Sequence, residues 1–426
     1  MKTVLVLGGY GLIGSACMRA LAMAGFEVIG VGRSQAATET LAPYRWIVRN
    51  ITDLSIDDWI KVLSGVDIVV NASGALQSGG KDNLTAIHVA AIDTLLDAMQ
   101  SSNAKLVQIS AAGVTSTAST AFFRTKARGD ALVRARAKDW VILRPALVLS
   151  SEAYGGTALL RAASALPGVM PHILPNAQIQ TVHVDDVAAA VVSAATGKIA
   201  PGTVIDLAEP ESHSFPDLCT KIRSWLGIPP ARFRFRVPQF VLGASGKVAD
   251  GLGHLGWRSP LRTTALTALA DGVRADPGHQ SIPCRSLDDT LAAIPATRQD
   301  RMFARMFLAL PFAIGVLALF WLISGVIGLA RAPQAVAVLG DADLGYFSKH
   351  LSVIGGSVAD IALGLAILWR PWSRRAALGM VVLSLVYLGG SILHTPALWA
   401  DPLGPMIKVI PGATLALIVA LTLENR

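Results

Sequence analysis

Charge is scarce in this sequence. Asp, Glu, Lys and Arg make up 15% of its 426 residues and apolar types 52%, against about 25% and roughly 45–50% in an ordinary soluble domain. With a mean hydropathy of +0.51, that deficit points to membrane-spanning segments. Cysteine is scarcer still. Cys17, Cys219 and Cys284 are odd in number, far apart and without metal-ligand spacing, so neither a disulfide framework nor a metal site follows, and a reducing compartment suits the thiols. Basic helices and aromatic-basic RNA motifs are also lacking. The net charge of +8 therefore speaks for anionic lipid headgroups beside the apolar runs rather than for nucleic acid. No secretory signal is read at the start either. The apolar run after Lys2 stops at glycines after about five residues, against roughly 7–15 for a signal core, and is read as a buried strand.

What is present divides the chain in two, as its length requires, since single cores rarely grow past about 250–300 residues. Up to about residue 150, short apolar runs alternate with longer mixed stretches, the mark of strand-helix units in a parallel sheet. Strands are expected at Thr3–Leu7, Glu27–Val31, Trp46–Val48, Asp67–Asn71, Lys105–Ser110 and Trp140–Arg144. Residues 150–300 lose this regularity and collect Pro and Gly, as a smaller substrate-side lobe would. Within them Arg232-Phe233-Arg234-Phe235-Arg236 alternates basic and aromatic residues, which fits an edge strand with a solvated face or a membrane-surface contact.

From residue 301 an all-α four-helix transmembrane bundle is expected. Met306–Ala330 is 25 residues without a charge, enough to cross about 30 Å of hydrocarbon as a helix. Further spans are expected at 352–369, 376–393 and 405–423. Arg298, Arg301, Arg305, Arg370, Arg374, Arg375 and Arg426 fall on one side of this arrangement and only Arg331 and Lys349 on the other. Basic residues accumulate on the cytoplasmic side, so both termini are expected in the cytoplasm, with the chain integral to a membrane such as a bacterial inner membrane.

Gly8-Gly9-Tyr10-Gly11-Leu12-Ile13-Gly14 follows the first strand and opens a helix. In that context Gly8 permits a tight turn, Gly11 lets the backbone approach a pyrophosphate and Gly14 lets helix and sheet pack closely, with the helix N-terminus facing the phosphates. The second strand ends in Val31-Gly32-Arg33-Ser34 with no acidic residue to hold a ribose 2′-hydroxyl. An arginine there favours NADP over NAD, because its guanidinium pairs with a 2′-phosphate; a solvated surface arginine is the alternative.

With these glycines, Asn71-Ala72-Ser73-Gly74, Ser110, Lys126, Arg144-Pro145 and His183-Val184-Asp185-Asp186-Val187, the chain resembles extended and atypical short-chain dehydrogenases/reductases. It looks closest to the epimerase-like NAD(P)-binding members related to a nucleotide-binding accessory subunit of respiratory complex I. The resemblance covers residues 1–300 and implies a doubly wound α/β Rossmann sheet, Asp53 near adenine, Ala72 and Ser73 lining the cofactor, and His183–Val187 as a structural turn. Active members pair a tyrosine with a lysine four residues on and a serine after the fifth strand. Here Ser110 and Lys126 are present, but Phe122 stands at the tyrosine position, and a phenyl ring exchanges no proton. Thr115, Ser116 and Thr117 offer hydroxyls for a substrate. Tyr154 is the other candidate acid, with a loop aromatic as its plainer role. The C-terminal part resembles the DoxX-like family, some of whose relatives are linked to quinone-coupled oxidation, on Asp360, His394, Pro396, Trp399, Pro402, Gly404 and Lys408. Asp360, flanked by Gly356 and Gly364, is expected inside the bundle, either packed or handling a proton or quinone headgroup. Lys408 can snorkel and His394 can sit at the interface. The expected function is a membrane-anchored oxidoreductase, NADP-preferring, acting on a small hydrophobic carbonyl or quinone. The alternatives are a catalytically silent dinucleotide sensor or scaffold, or a bundle that carries the chemistry under the soluble domain's control.

Overall fold

The computed structural model describes all residues except 40, 42, 78–82, 258–261, 341–343 and 424–426. Arg426, used above for orientation, lies outside the described residues. The chain divides into two compact units, Met1–Asp250 with Ser259–Ala304, and Gly251–Arg258 with Arg305–Arg426.

In the first unit, strands β1 (Thr3–Leu7), β2 (Glu27–Gly32), β3 (Arg45–Val48), β4 (Ile68–Asn71), β5 (Lys105–Ile109) and β6 (Trp140–Pro145) each fall within one residue of the expected bounds. With β7 (Thr203–Leu207) and β8 (Gln280–Ser281) they form one parallel sheet in the order β8-β7-β6-β5-β4-β1-β2-β3. The last two come from residues 150–300, the stretch expected to hold the smaller substrate-side lobe. Buried Ile205 and Leu207 return β7 to the sheet core beside Val141 and Leu143 of β6.

Helices α1 (Leu12–Met23), α2 (Ile56–Val62), α3 (Ala91–Met99), α4 (Ala121–Arg136) and α5 (Val184–Ala195) cover both faces. Val4, Val6, Val107, Ile109 and Leu143 face Met18 and Leu21 of α1 and Val187 and Val191 of α5. Leu5, Leu7, Val69, Leu106 and Ile142 face Trp59, Leu95, Leu96 and Val133 of α2, α3 and α4. A sheet buried on both faces reads as unbroken apolar runs, which is why these strands were legible. Local chemistry starts the helices. Ser55 and Asp58 close a capping box on α2, Thr120 accepts from Phe123 N on α4, and His183 Nδ1 accepts from Asp185 N at 3.0 Å on α5.

The lobe is built on a core that includes Leu160, Ile179, Leu218 and Ile222. Its buried Glu209 accepts from Thr181 N at 2.8 Å and Leu287 N at 2.7 Å, pinning two segments together. Phe233–Arg236 is an exposed strand paired with Val169–His172, and helix α6 (Gln239–His254) follows it.

The helices of the membrane part are α7 (Arg298–Ala330), α8 (Tyr346–Ala366), α9 (Ser373–His394) and α10 (Pro405–Thr422). Among the described residues α7, α9 and α10 are long and apolar enough to cross a membrane, with mean hydropathies of 2.5, 2.1 and 1.8. The 21 residues of α8 are of spanning length, but Lys349, His350 and Asp360 reduce its apolar content, so composition carries three spans where four were expected.

Candidate dinucleotide and substrate site

Strand order reverses between β1 and β4, and in such sheets a crevice opens beyond the carboxyl ends of the two strands. The glycine loop fills its floor. Gly8 takes φ +71°, and a Cβ there would lie 2.9 Å from Ser73 Cα, so the loop lies directly on the Ala72–Ser73 turn after β4. The amides of Gly8 and Gly9 both donate to Val31 O, at 3.0 and 3.2 Å, and Gly11 N donates to Gly8 O at 2.9 Å. A Cβ on Gly14 would lie 2.2 Å from Gly8 O, which only glycine avoids. Gly11 is the N-cap of α1. The amides of Leu12, Ile13 and Gly14 therefore have no acceptor within the helix and sit at its positive end, as a diphosphate requires.

Tyr10 lies against Gly32, where a Cβ would come within 2.4 Å of its ring, and beside Trp46 at 6.4 Å. Arg33 is exposed just beyond β2. Asp53 ends a short turn after β3, accepting from Asn50 Nδ2 at 3.2 Å and Thr52 Oγ1 at 2.9 Å. All of these residues thus line one edge of the sheet, and an open glycine backbone over a helix N-terminus fits a dinucleotide.

The Ala72–Gly74 turn continues to Lys126. A Cβ on Gly74 would lie 3.7 Å from Lys126 Nζ and 3.5 Å from His88 Nε2. Lys126 is buried, donates to Ile109 O at 2.9 Å and lies 6.0 Å from the Phe122 ring centroid. Burial pulls its ammonium down to about 8, with Asp130 opposing the shift. Ser110 is engaged elsewhere: its hydroxyl donates at 2.8 Å to the fully buried Asp130, which also holds Arg144 at 2.9 Å. Tyr154 is 56% exposed, and among the described residues no contact joins it to Ser110, Phe122 or Lys126.

Sequence reasoning missed His88. It stands on a π-helical turn, Ala86–Ala90, ahead of α3, a local widening that recurs at functional sites. Ala75 N donates to its Nε2 at 3.3 Å. Nδ1 therefore carries the ring proton and donates to Thr125 Oγ1 at 2.9 Å, which donates in turn to Phe122 O at 3.1 Å. The ring is locked neutral. Burial, with Lys126 adding to it, pulls its pKa down to about 3. Its edge meets Phe122 at 5.7 Å. No local pattern marks this histidine, because Ala75 and Thr125 reach it only through tertiary packing. Asp130 did leave a signal, since it lies four residues after Lys126 on α4 and so shares its face.

A cleft of about 690 Å³ adjoins this cluster. Thr115, Ser119, Phe123, Gln180, Arg274 and Asp276 are among its lining, and the Phe123 ring lies 5.2 Å from Phe122. In the helical unit Asp360 is buried, as expected from its flanking glycines. It accepts from Tyr387 Oη at 2.8 Å and Ser324 Oγ at 3.2 Å, so α7, α8 and α9 meet at one polar node. His394 is half-buried and Lys408 exposed.

Residues 8–198 match the profile of the NAD(P)H-binding family and residues 318–419 that of the DoxX-like family. Among solved structures, the chain is similar to the Bordetella bronchiseptica enzyme WbmH in complex with NAD+, with 15% identity and a TM-score of 0.52 over 72% of this chain and 98% of that one. It is also similar to Pal from Bacillus thuringiensis, with 14% identity and a TM-score of 0.50 over 68% of this chain and 97% of that one. No curated protein matches it. The chain thus joins a stretch that matches the NAD(P)H-binding family, on a fold shared with these solved structures, to one that matches the DoxX-like family.

Proposed function

We propose that this protein is a membrane-anchored, NADP-preferring oxidoreductase that passes a hydride to a quinone. The observation behind this reading is the Ala72–Gly74 turn, which touches the glycine cradle at Gly8 and the buried ammonium of Lys126 at Gly74. When bound, a nicotinamide dinucleotide supplies the hydride. The amides of Leu12, Ile13 and Gly14 hold its diphosphate, Arg33 favours a 2′-phosphate, Asp53 lies toward the adenosine end, and Lys126 orients the nicotinamide ribose. Tyr10, Ala72 and Ser73 close the walls.

Phe122 selects the acceptor. Hydride addition to an aldehyde or ketone leaves an alkoxide about as basic as hydroxide, so a positioned acid is needed. Hydride addition to a quinone leaves a phenolate with a pKa of about 10, as for tyrosine, which takes its proton from water afterwards. Ser110 is engaged on Asp130 and His88 on Thr125 and Ala75, and Tyr154 is 56% exposed. A quinone also suits a chain whose second part lies in the membrane. Basic residues before α7 and between α8 and α9 support a reading with both termini in the cytoplasm.

The same engaged hydroxyl and imidazole favour a second reading, a silent NAD(P)-binding module that reports redox state to its membrane partner domain. The purified chain in bilayers separates the two. Quinone-dependent loss of NADPH absorbance that disappears in Lys126→Ala, with the fold intact, supports the enzyme; tight NADPH binding without turnover on quinones, aldehydes or ketones assigns the silent module.

A further inference from the structure

The strand Phe233–Arg236 and helix α6 leave apolar surface uncovered. Phe233 and Phe235 are 70% and 44% exposed, and Phe240 and Val248 77% and 64%. On α6 the exposed residues Phe240, Val241, Ala244, Lys247, Val248 and Gly251 recur at helical spacing, so they form one outward stripe rather than scattered exceptions. On the strand, alternation puts the two phenylalanines on one side and Arg234 and Arg236 on the other. Arg232, Arg234, Arg236 and Lys247 are exposed, and among the described residues none of them makes an ion pair. The one acidic residue in this stretch, Asp250, is held by Arg262 at 3.0 Å and Thr263 at 2.6 Å.

Gly251–Arg258 belongs to the helical unit, where Trp257 Nε1 donates to Leu368 O at 2.6 Å, Arg370 N donates to Leu255 O at 3.0 Å, and the Arg370 guanidinium lies 5.5 Å from the Trp257 ring. These contacts are to the turn joining α8 and α9. There Trp369 and Trp372 stack at 6.2 Å and the Arg375 guanidinium lies 5.6 Å from Trp372, the tryptophan-arginine pairing that marks a membrane-water interface. Phe240 lies 11 positions before Gly251 in the sequence, and both belong to the one helix α6.

We propose that residues 232–251 form a membrane-surface element, with the Phe233, Phe235, Phe240 and Val248 side chains in the headgroup layer and Arg232, Arg234, Arg236 and Lys247 on anionic lipid headgroups. The proposal rests on the membrane-anchored reading above. An apolar stripe with basic flanks is the pattern of interfacial helices, and each basic group near an anionic surface contributes about 1 kcal/mol, or roughly fivefold in population. The element holds the NAD(P)-binding unit against the bilayer from which a hydrophobic acceptor arrives.

The full chain, reconstituted in phosphatidylcholine vesicles with or without phosphatidylglycerol, tests this with nitroxide labels on Val248→Cys and, as a control, on Val382→Cys of α9; background labelling is measured on the unsubstituted chain. Collision rates with lipid-soluble oxygen and a water-soluble nickel chelate are the readout. In phosphatidylglycerol vesicles Val248→Cys should favour oxygen, and replacing Arg232, Arg234 and Arg236 by Gln should cut the docked population by at least about tenfold. A Val248 label open to nickel in both lipids, with the Val382 label in oxygen, overturns the surface element alone. A Val382 label open to nickel overturns the anchoring on which it rests. A Val248 label shielded from both reagents whatever the lipid assigns the stripe to a protein contact and also overturns the proposal.

Discussion

At Phe122 a phenyl ring stands where the resemblance calls for a phenol, and the polar groups beside it are engaged elsewhere. His88 has both nitrogens in hydrogen bonds and Ser110 donates to Asp130. Phe122→Tyr restores a hydroxyl four residues before Lys126. Since general-acid catalysis contributes about 10²–10⁴-fold, reduction of aldehydes by this variant should rise by at least about a hundredfold while quinone reduction changes little, as followed by NADPH absorbance. His88 makes a separate prediction. Its folded pKa is pulled down to about 3 from 6.5, so between those values the unfolded chain binds a proton that the folded chain refuses. The stability it contributes is full above pH 6.5 and is lost as pH falls toward 3, by on the order of a few kcal/mol. Denaturant unfolding of the detergent-solubilised chain across this range should show that slope, and His88→Asn should flatten it. The glycine motif was legible residue by residue because its chemistry is local. His88, held by Ala75 and Thr125, was not, and neither was the engagement of Ser110 by an aspartate 20 positions away.

The junction of β1 and α1 shows what an element contributes beyond its residues. Gly14 packs the first turn of α1 on Gly8 O, and a methyl there would approach to 2.2 Å. Gly14→Ala must therefore lift the helix N-terminus from the loop. Overpacking costs about 1–3 kcal/mol, and here it falls on the amides proposed to hold the diphosphate. NADPH affinity, read by nicotinamide fluorescence, should weaken by about tenfold or more, with the far-ultraviolet circular dichroism of the chain unchanged. The six strands from β1 to β6 were legible because each is an apolar run bounded by turn residues. β7 and β8 were not, since Thr203–Leu207 and Gln280–Ser281 are short and are defined by their pairing with a distant part of the sheet. α8 was expected to span, but it carries Lys349, His350 and Asp360, the last of these in the node with Tyr387 and Ser324.

For the whole molecule, composition alone separated a dinucleotide-binding part from a membrane part, because charge-poor helices and glycine-punctuated parallel strands have opposite signatures. It did not reveal that Gly251–Arg258 packs with the helical unit, since Trp257 meets Leu368 across 111 residues. Membrane anchoring, a dinucleotide cradle and a missing tyrosine together support the proposed reaction, hydride delivery to a quinone. The most direct test is oxidation of NADPH by the full chain in bilayers, followed by nicotinamide absorbance with a quinone, an apolar aldehyde and an apolar ketone in parallel. Turnover with the quinone and little or none with the two carbonyl compounds is the predicted result. Equal or faster turnover with the carbonyl compounds, or no NADPH binding at all, would contradict the account.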